Sequence, residues 1–412
     1  MGGNKSKMIL IKNITIVTQN SERRIIEDGA ILIEGDKIAD VGQSAKLEKK
    51  YAKAKNKIID GRGKVAIPGL INAHTHAAMA LLRGYADDMP LKDWLEKKIW
   101  PAEMKFKPED IYQGTKLACQ EMLASGTTTF NNMYWQPAQE IKAAQETGLR
   151  DFVGLTALDS GGMDVGPAQI AGEFERLKNK INGNIKLVLT PHSIYAVSEK
   201  TLRWCRKFAD DNDLLLHIHL SETEDEVKTC LEKHNCRPVE YLEKIGFLDS
   251  NVVAAHCCWL NEKEIEILAK RNVSVAHCPV SNLKLASGVM PFGKLLAAGV
   301  NVALGTDGPA SNNSLDMFGE MKIAALIHKW EERNPAAADA QIILDSATIN
   351  GAKALEMEQK IGSLDIGKEA DIVMLDFNKP RLKPLHNVVS HLVYAAQSGD
   401  VEKVIIGGQV LL

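Results

Sequence analysis

Several features that would assign a chain at once to a membrane, secreted or nucleic-acid-binding class are missing here. No uninterrupted apolar run in the 412 residues approaches the ~20 needed to cross a bilayer. The formal net charge is only -3, which predicts neither nucleic acid nor a membrane as a partner. The seven cysteines are odd in number and form no C-x-x-C pair, so we expect a protein of the reducing cytoplasm.

A secretion signal is also lacking at the N-terminus. The apolar stretch 8–17 is interrupted by Lys12 and Asn13, and no small-residue cleavage site follows, so it predicts a strand. Met1, Gly2 and Ser6 match the myristoylation pattern M-G-x-x-x-S. We interpret this match as chance or as leftover cloning sequence.

Both ends of the chain have β-type patterns, and the middle does not. Residues 30–38 contain two apolar runs that meet at Gly35, and residues 370–375 and 404–412 repeat this style. Because each end has too few residues to form a stable core alone, we predict that the two ends combine into one small β module. The predicted divisions are residues 1–65 and 361–412 for this module and 66–360 for the middle.

In the middle of the chain, short apolar runs alternate with long amphipathic stretches, a pattern typical of βα units around a parallel sheet. The runs are 70–73, 127–130, 152–156, 185–190, 214–219, 252–256, 273–277 and 300–305. Eight parallel strands close a TIM-type barrel. The predicted fold is therefore α/β: a TIM-type (β/α)8 barrel with a small β-sandwich domain formed by both chain ends.

Histidine is scarce, with 11 residues in the chain, yet six follow or end the predicted strands. They are His74, His76, His192, His219, His256 and His277, and Asp307 follows the eighth run. Active sites of such barrels lie at the C-terminal ends of the strands. The pattern therefore predicts one polar site at that rim.

The motif His74-Thr75-His76 predicts metal binding, because alternate residues of a strand face the same side. His219 and Asp307 at two other strand ends complete a set of nitrogen and carboxylate donors that Zn²⁺ accepts, with room for water. His217 lies one pleat deeper than His219, so we expect it to be a buried, hydrogen-bonded core histidine.

Four motifs resemble those of amidohydrolases: PGLINAHTH at 68–76, HIHLSE at 217–222, HCPVSN at 277–282 and GTDG at 305–308. Trp94, WPAE at 100–103, Pro191-His192 and SNN at 311–313 are similar to methylthioadenosine/S-adenosylhomocysteine deaminases. The resemblance covers nearly the whole chain. It implies a barrel flanked by a β-sandwich. It also implies hydrolytic deamination of a small-molecule adenine nucleoside (5′-methylthioadenosine, S-adenosylhomocysteine, 5′-deoxyadenosine or adenosine) to the inosine analogue and ammonia.

The resemblance also implies a metal count and several residue roles. Relatives with two metals use a carbamylated lysine after strand four, where this chain has LTPH at 189–192, so we expect one divalent ion. Zinc is the first choice, with iron, manganese or nickel as alternatives. The resemblance assigns Glu103 and His192 to the ribose and Trp100 to the pocket for the 5′ group. Trp94 and Trp100 could equally form the apolar face of a helix.

The expected chemistry follows from what each group can do. Bound metal lowers the pKa of water to ~7, Asp307 can act as ligand and base, and His256 can hydrogen-bond the developing oxyanion. Glu222, in the H-x-x-E pattern of the family, can protonate a ring nitrogen and relay a proton to the leaving amine. The alternative for Glu222 is a solvated acidic cluster with Glu224, Asp225 and Glu226, three residues that we expect to open a helix.

Two other functions remain open at this point. One is hydrolysis of another N-heterocycle, such as a triazine, guanine, cytosine or a cyclic amide, because substrate choice lies in the loops. The other is a non-catalytic scaffold, which retention of the four ligands and the acid disfavours. The oligomeric state is left open, with a homo-oligomer allowed.

The preferred 5′ group is predicted from a departure from the family. Relatives that accept S-adenosylhomocysteine carry an arginine near the end of strand three, which pairs with the amino acid's carboxylate. Here Arg150 precedes the strand, and Asp159 follows it, just before the loop 160–164. We therefore expect small uncharged 5′ groups to be preferred.

Overall fold

A computed structural model describes residues 8–52, 54, 56–159, 164–181 and 183–412. It confirms the predicted fold class, a TIM-type barrel with a small sandwich formed by both chain ends. The proposed division points at residues 65 and 360 stay predictions. The myristoylation-like pattern at Met1, Gly2 and Ser6 lies outside the described residues, as do residues 160–163 of the loop after the third barrel strand.

The chain forms sixteen described strands, which divide between two sheets. The first five are β1 (Met8–Val17), β2 (Ile25–Glu34), β3 (Lys37–Gln43), β4 (Asn56–Asp60) and β5 (Lys64–Pro68). The barrel strands are β6 (Leu70–Thr75), β7 (Thr127–Asn132), β8 (Arg150–Ala157), β9 (Ile185–Pro191), β10 (Leu216–Leu220), β11 (Val252–His256), β12 (Ser274–His277) and β13 (Val302–Leu304). The last three are β14 (Ile372–Asp376), β15 (Val401–Ile406) and β16 (Gln409–Val410).

The two chain ends share one mixed sheet with the order β16-β15-β14-β5-β1-β2-β3. β1 is long enough to pair with β2 along one edge and with both β4 and β5 along the other. β5 and β14 are antiparallel neighbours, which joins the N-terminal strands to the C-terminal ones. Isoleucines of β1 and β2 fill the interior of this sandwich, because alternate residues of its strands face inward.

The barrel strands are parallel and follow each other around the sheet from β6 to β13. Every residue of β6, β7 and β8 is buried, as expected for parallel strands with side chains inside and helices outside. The first and last strands meet where the Asp307 amide donates to the carbonyl of His74 at 3.0 Å. A Cβ on Gly305 would lie 2.9 Å from the His74 backbone, so this close approach requires glycine.

Seventeen α-helices occur among the described residues, most of them after a barrel strand. Their bounds are α1 (Ser44–Lys50), α2 (Leu91–Trp94), α3 (Trp100–Glu103), α4 (Pro108–Ala124), α5 (Pro137–Thr147), α6 (Pro167–Leu177), α7 (Glu199–Asn212), α8 (Glu224–His234), α9 (Pro238–Lys244), α10 (Glu262–Lys270), α11 (Pro279–Lys284), α12 (Phe292–Ala297), α13 (Pro309–Asn312), α14 (Met317–Glu331), α15 (Ala340–Ser346), α16 (Ile349–Ala354) and α17 (Val388–Tyr394). A π-helical turn, Leu95–Ile99, joins α2 to α3, and 3₁₀ turns span Ala77–Leu82, Pro380–Leu382 and Ser398–Asp400. None of the helices in the described part combines the length and the hydropathy that a membrane span requires.

Two local predictions differ from the structure. β6 ends at Thr75, so His76 lies just beyond the strand and precedes a 3₁₀ turn. Arg150 opens β8; it does not precede the strand. Its guanidinium is buried against Glu369 and Asp371 of the sandwich. It therefore lies at the N-terminal end of the barrel, as expected, and far from the rim that carries the site.

A pair of buried carboxyl groups lies between α5 and β8. Glu140 and Asp151 are both fully buried and lie beside each other, with Asn132 next to Glu140. Burial raises the pKa of Glu140 to about 8 and that of Asp151 well above its usual value. Because desolvation disfavours the charged form of each group, the pair is most stable when protonated.

We predict that this pair makes the fold less stable as the pH rises. The pKa of Glu140 is higher in the folded state than its unfolded value of ~4.3, so its contribution is full below that value and is lost as the pH rises towards about 8. Glu140→Gln should therefore raise the thermal unfolding midpoint at pH 8.5 by a few degrees and change it little at pH 5.

Glu146→Gln provides the matched control in the same helix. Lys116 holds the pKa of the exposed Glu146 below its usual value, so this change should give no gain at high pH. An equal effect of Glu140→Gln at both pH values, measured by differential scanning calorimetry, would argue against the buried pair as the cause.

Candidate active site

Four side chains from three segments of the chain converge inside the C-terminal rim of the barrel. His74, His76, His219 and Asp307 each place one donor atom within 4.8 Å of the others, and all four are buried. Asp307 Oδ1 lies 3.3 Å from the Nε2 atoms of both His74 and His76, and His76 Nε2 lies 3.2 Å from His219 Nε2. The four residues predicted as ligands are thus brought together.

Backbone carbonyls orient two of these imidazoles. His76 Nδ1 lies 2.6 Å from the Met133 carbonyl, and His219 Nδ1 lies 2.8 Å from the His192 carbonyl. A carbonyl can only accept, so each ring carries a proton on Nδ1 and directs its Nε2 atom into the cluster. Contacts of this kind commonly fix the tautomer of a metal-bound histidine.

A second histidine orients His74 in the same way. His217 Nδ1 donates to the Val253 carbonyl at 3.1 Å, which leaves His217 Nε2 to accept from His74 Nδ1 at 2.7 Å. His74 Nε2 is then an unprotonated, buried nitrogen without a hydrogen-bond partner in the described chain. Such an atom is expected where a further ligand binds. His217 is a fully buried, hydrogen-bonded histidine, as its position one pleat deeper predicted.

The carboxylate of Asp307 is held on its other side by two hydroxyl groups. Ser281 and Ser311 donate to Oδ2 at 2.5 and 2.8 Å, which turns Oδ1 towards the histidines. Burial favours the neutral acid, but contacts with His74 and His76 outweigh burial and hold the pKa of Asp307 well below its usual value. Asp307 therefore offers a charged oxygen to the cluster.

The donor set fits a single metal ion. Burial lowers the pKa of His74 to about 4 and that of His219 well below its usual range, so both rings are neutral and able to bind a cation at pH 7. Three imidazole nitrogens and one carboxylate oxygen are donors of the type found in catalytic zinc sites.

Glu222 and His256 face each other beside this cluster. Glu222 Oε2 lies 3.8 Å from His256 Nε2, and Ser287 donates to Glu222 Oε1 at 3.1 Å. Asn282 Nδ2 lies 2.9 Å from His256 Nδ1, so the ring accepts there and carries its proton on Nε2. Burial raises the pKa of Glu222 above its usual value, which suits a proton donor at neutral pH.

Several residues of the rim have left-handed backbone conformations that are uncommon outside glycine. The φ angles are 50° for Ser221, 72° for His256, 51° for Cys257 and 59° for Asp307. Such conformations cost ~1–3 kcal/mol each and persist only where surrounding contacts hold them. These four residues lie at the ends of β10, β11 and β13, beside the converging donors.

A cavity opens above the cluster and contains all three residues predicted to bind substrate. Its lining residues come from the rim and from the segment around the π-helical turn; they are His76, Met79, Leu91, Trp94, Leu95, Trp100, Glu103, Met133, Trp135, Thr156, Leu158, His192, Tyr195, His219, Glu222, His256, Leu285 and Asp307. Trp94 and Trp100 therefore contribute to the cavity wall, although both also pack in an apolar cluster. No lysine or arginine of the described residues lines it.

Glu103, which is buried, and His192, which is half-buried, are polar groups of the cavity wall. Tyr134 donates to Glu103 Oε1 at 2.6 Å, and burial raises the pKa of Glu103 to about 7. His192 Nδ1 lies 3.1 Å from Ser193 Oγ, and burial lowers the pKa of the ring to about 3. Both side chains can therefore exchange hydrogen bonds with a polar ligand in a largely apolar pocket.

Some residues of the site were not assigned correctly from the sequence. Tyr134, Ser287 and the carbonyl of Met133 received no role, because only their distant partners reveal one. Asp159 does not line the cavity; it accepts from the backbone amide and hydroxyl of Ser198, at the start of α7. Glu226 is buried and does not belong to a solvated acidic cluster.

His277 and His328 form a separate buried pair, with their Nε2 atoms 2.9 Å apart. Neither residue lines the cavity. The sequence left His277 as a neighbour of the site and gave His328 no role. In the structure His328 stacks on Phe292, so the pair belongs to the packing between β12 and α14.

Comparison with known proteins identifies the family. Residues 65–411 match the Amidohydrolase family. The chain belongs to this family. The resemblance of its motifs to amidohydrolases is thereby confirmed, and so is the predicted enzyme class, a metal-dependent aminohydrolase.

Relatives of this amidohydrolase match it along almost their whole length. It is 46% identical over 407 residues, 98% of this chain and 94% of the relative, to a protein of Thermococcus sibiricus named 5-methylthioadenosine/S-adenosylhomocysteine deaminase. It is 44% identical over 98% of this chain and 92% of the relative to a protein of Methanosarcina acetivorans named 5'-deoxyadenosine deaminase. A crystal structure of an adenosine deaminase from Xanthomonas campestris with bound zinc has a TM-score of 0.92 and 36% identity, covering 98% and 92% of the two chains.

We predict that the purified amidohydrolase contains about one transition metal ion per chain. His219→Ala should lower this content several-fold in elemental analysis, because it removes one of four converging donors. The matched control is His386→Ala, which removes an exposed imidazole and should leave the content unchanged. Two tightly bound ions per chain would contradict a single site.

Proposed function

We propose that the protein hydrolyses the exocyclic amino group of an adenine nucleoside, consuming water and releasing ammonia and the inosine analogue. The observation that carries this proposal is the arrangement of Glu222, His256 and the four-residue cluster around one cavity. One ring carbon of a bound substrate can thereby lie within reach of a water molecule on the cluster, while Glu222 donates a proton and His256 donates a hydrogen bond beside it. The names of the relatives support an adenine nucleoside as the substrate.

His74, His76, His219 and Asp307 would hold the metal ion in this proposal. Zinc is the first choice because it suits three nitrogens and a carboxylate and is present in the related adenosine deaminase structure; iron, manganese and nickel are the alternatives. When bound, the ion lowers the pKa of a water molecule to ~7 and so supplies a nucleophile at neutral pH.

The protein's own groups would move the protons. Asp307 is ionised because its pKa is low, so it can accept a proton when water adds to the purine ring. His256 carries a proton on Nε2 and can donate a hydrogen bond to the oxygen that adds. Glu222 can protonate a ring nitrogen, which makes the ring carbon accept attack, and then relay a proton to the departing amine.

Substrate contacts would come from the cavity walls. Tyr134 occupies Oε1 of Glu103, which leaves the second carboxylate oxygen for a ribose hydroxyl. His192, which also lines the cavity, is assigned to the ribose as well. Trp100, with Trp94 and Leu95, forms the apolar wall assigned to the 5′ group.

We predict that Glu222→Gln lowers kcat by at least ~10²-fold while metal content and fold are retained, because it removes a positioned acid. Glu224→Gln is the matched control, since Glu224 lies two residues away on the exposed side of the turn. Turnover, elemental analysis and thermal unfolding should be measured on the same preparations. Near-normal turnover of Glu222→Gln would refute the assigned role.

We also predict that methylthioadenosine, 5′-deoxyadenosine and adenosine have higher kcat/KM values than S-adenosylhomocysteine. The cavity wall offers no described cation to pair with the amino acid carboxylate. Loss of a charge-assisted contact costs ~1.5–3 kcal/mol, which corresponds to roughly tenfold to a hundredfold discrimination. A butylthio analogue of adenosine, uncharged but of similar length, separates the effect of charge from that of size.

An assay of ammonia release, from which these kcat/KM values are obtained, also tests the proposed function itself. Guanine, cytosine, a triazine and a cyclic amide should be screened beside the nucleosides, with ring opening followed separately for the amide. Turnover of one of these compounds without turnover of any adenine nucleoside would overturn the proposal. Equal or higher kcat/KM for S-adenosylhomocysteine would overturn only the predicted preference.

A further inference from the structure

The turn that carries Glu222 is held by a buried carboxyl group to which the reaction assigns no task. β10 ends at Leu220, Ser221 and Glu222 form the turn, and α8 begins at Glu224. The carboxyl group of Glu226 reaches back from the first turn of α8. Its Oε1 accepts from the amide of Ser221 at 3.0 Å, and its Oε2 accepts from the amide of Glu222 at 2.8 Å.

This contact goes beyond ordinary helix capping. Thr223 is the N-cap of α8, and its hydroxyl accepts from the amide of Glu226 at 3.1 Å. In a capping box the acid at this position bonds the amide of the N-cap residue itself. Glu226 instead bonds the two residues before the N-cap, so its carboxyl group fixes the turn as well as the helix.

The backbone of the turn needs such support. Ser221 has a φ of 50°, which is costly for a residue with a side chain. Its hydroxyl is buried without a hydrogen-bond partner in the described chain, so the side chain does not stabilise this conformation. The Ser221 carbonyl accepts from the Trp259 amide at 3.0 Å, and the Glu226 carboxyl group holds the amide side.

We propose that Glu226 is a positioning residue that directs the carboxyl group of Glu222 towards His256 and the substrate, an inference that rests on the proposed function. With the Ser221 and Glu222 amides held, the Glu222 side chain meets Ser287 and His256. Without Glu226, Ser221 can relax to an ordinary conformation and Glu222 turns away. A displacement of ~1 Å at a reacting group can cost ~10²-fold in rate.

The same helix turn supplies a matched control. Asp225 precedes Glu226, is exposed, and is likewise an acid of the first turn of α8, but it does not contact Ser221 or Glu222. Asp225→Ala therefore removes one acid from the helix N-terminus and keeps the hydrogen bonds from the Ser221 and Glu222 amides to the Glu226 carboxyl group. Glu226→Ala should lower kcat by roughly tenfold to a hundredfold with little change in KM, whereas Asp225→Ala should leave both unchanged.

A double-mutant cycle separates positioning from general stability. In a Glu222→Gln background, Glu226→Ala should cost little further turnover, because the group that it positions is already lost. An equal loss in both backgrounds, or a loss no larger than that of Asp225→Ala, would overturn the inference. Glu226→Gln, which keeps one acceptor oxygen, should be intermediate and carries the test if Glu226→Ala does not fold.

Amide hydrogen exchange gives a readout that does not depend on turnover. The peptide covering residues 220–223 should lose protection in Glu226→Ala and keep it in Asp225→Ala. Unchanged protection would overturn the inference whatever the kinetics. If the wild-type protein deaminates no nucleoside, the proposed function fails, and the exchange result alone supports or overturns the holding of this turn by Glu226.

Discussion

The site depends on the joining of the first and last barrel strands. The hydrogen bond from the Asp307 amide to the His74 carbonyl brings together two of the four converging donors, which lie far apart in the chain. Gly305 permits the approach because a Cβ there would meet the His74 backbone. If the barrel did not close at this point, the carboxylate of Asp307 would not reach the three imidazoles.

Closure also explains why the site tolerates so much buried polarity. A group of histidines and one carboxylate is costly to bury unless each polar atom has a partner. Carbonyls of Met133, His192 and Val253 satisfy the Nδ1 atoms of His76, His219 and His217, and two serines satisfy Asp307. The Nε2 atoms of His74, His76 and His219 face the cluster, where a metal ion would satisfy them.

Much of this could be predicted from the sequence because the signals are local. The strand runs, the hairpin at Gly35 and the histidines at strand ends each follow from residues a few positions apart, and the resemblance of the motifs to amidohydrolases is confirmed. The roles of His74, His76, His219 and Asp307 as ligands stay a prediction, although the structure brings these residues together.

The roles of several other residues could not be predicted from the sequence, because they depend on partners that lie far away along the chain or that only the folded turn brings close. Nothing near Glu226 in the sequence distinguishes it from the exposed Glu224 and Asp225, and only the fold of the turn buries it. Tyr134 and Glu103 meet across two segments. Asp159 follows the third barrel strand in the sequence, but its carboxylate accepts from Ser198 at the start of α7, a contact between residues 39 positions apart.

Two residues of the cavity wall orient the imidazoles of the site through their main-chain carbonyls, a contact that does not depend on the identity of their side chains. Met133 and His192 hold the imidazoles of His76 and His219 through their carbonyl oxygens, and both residues also line the cavity. A substitution changes a side chain and keeps the carbonyl. The pocket can therefore be reshaped at these two positions during evolution while the two imidazoles keep their orientation, so that one arrangement of donors can serve a succession of different substrates.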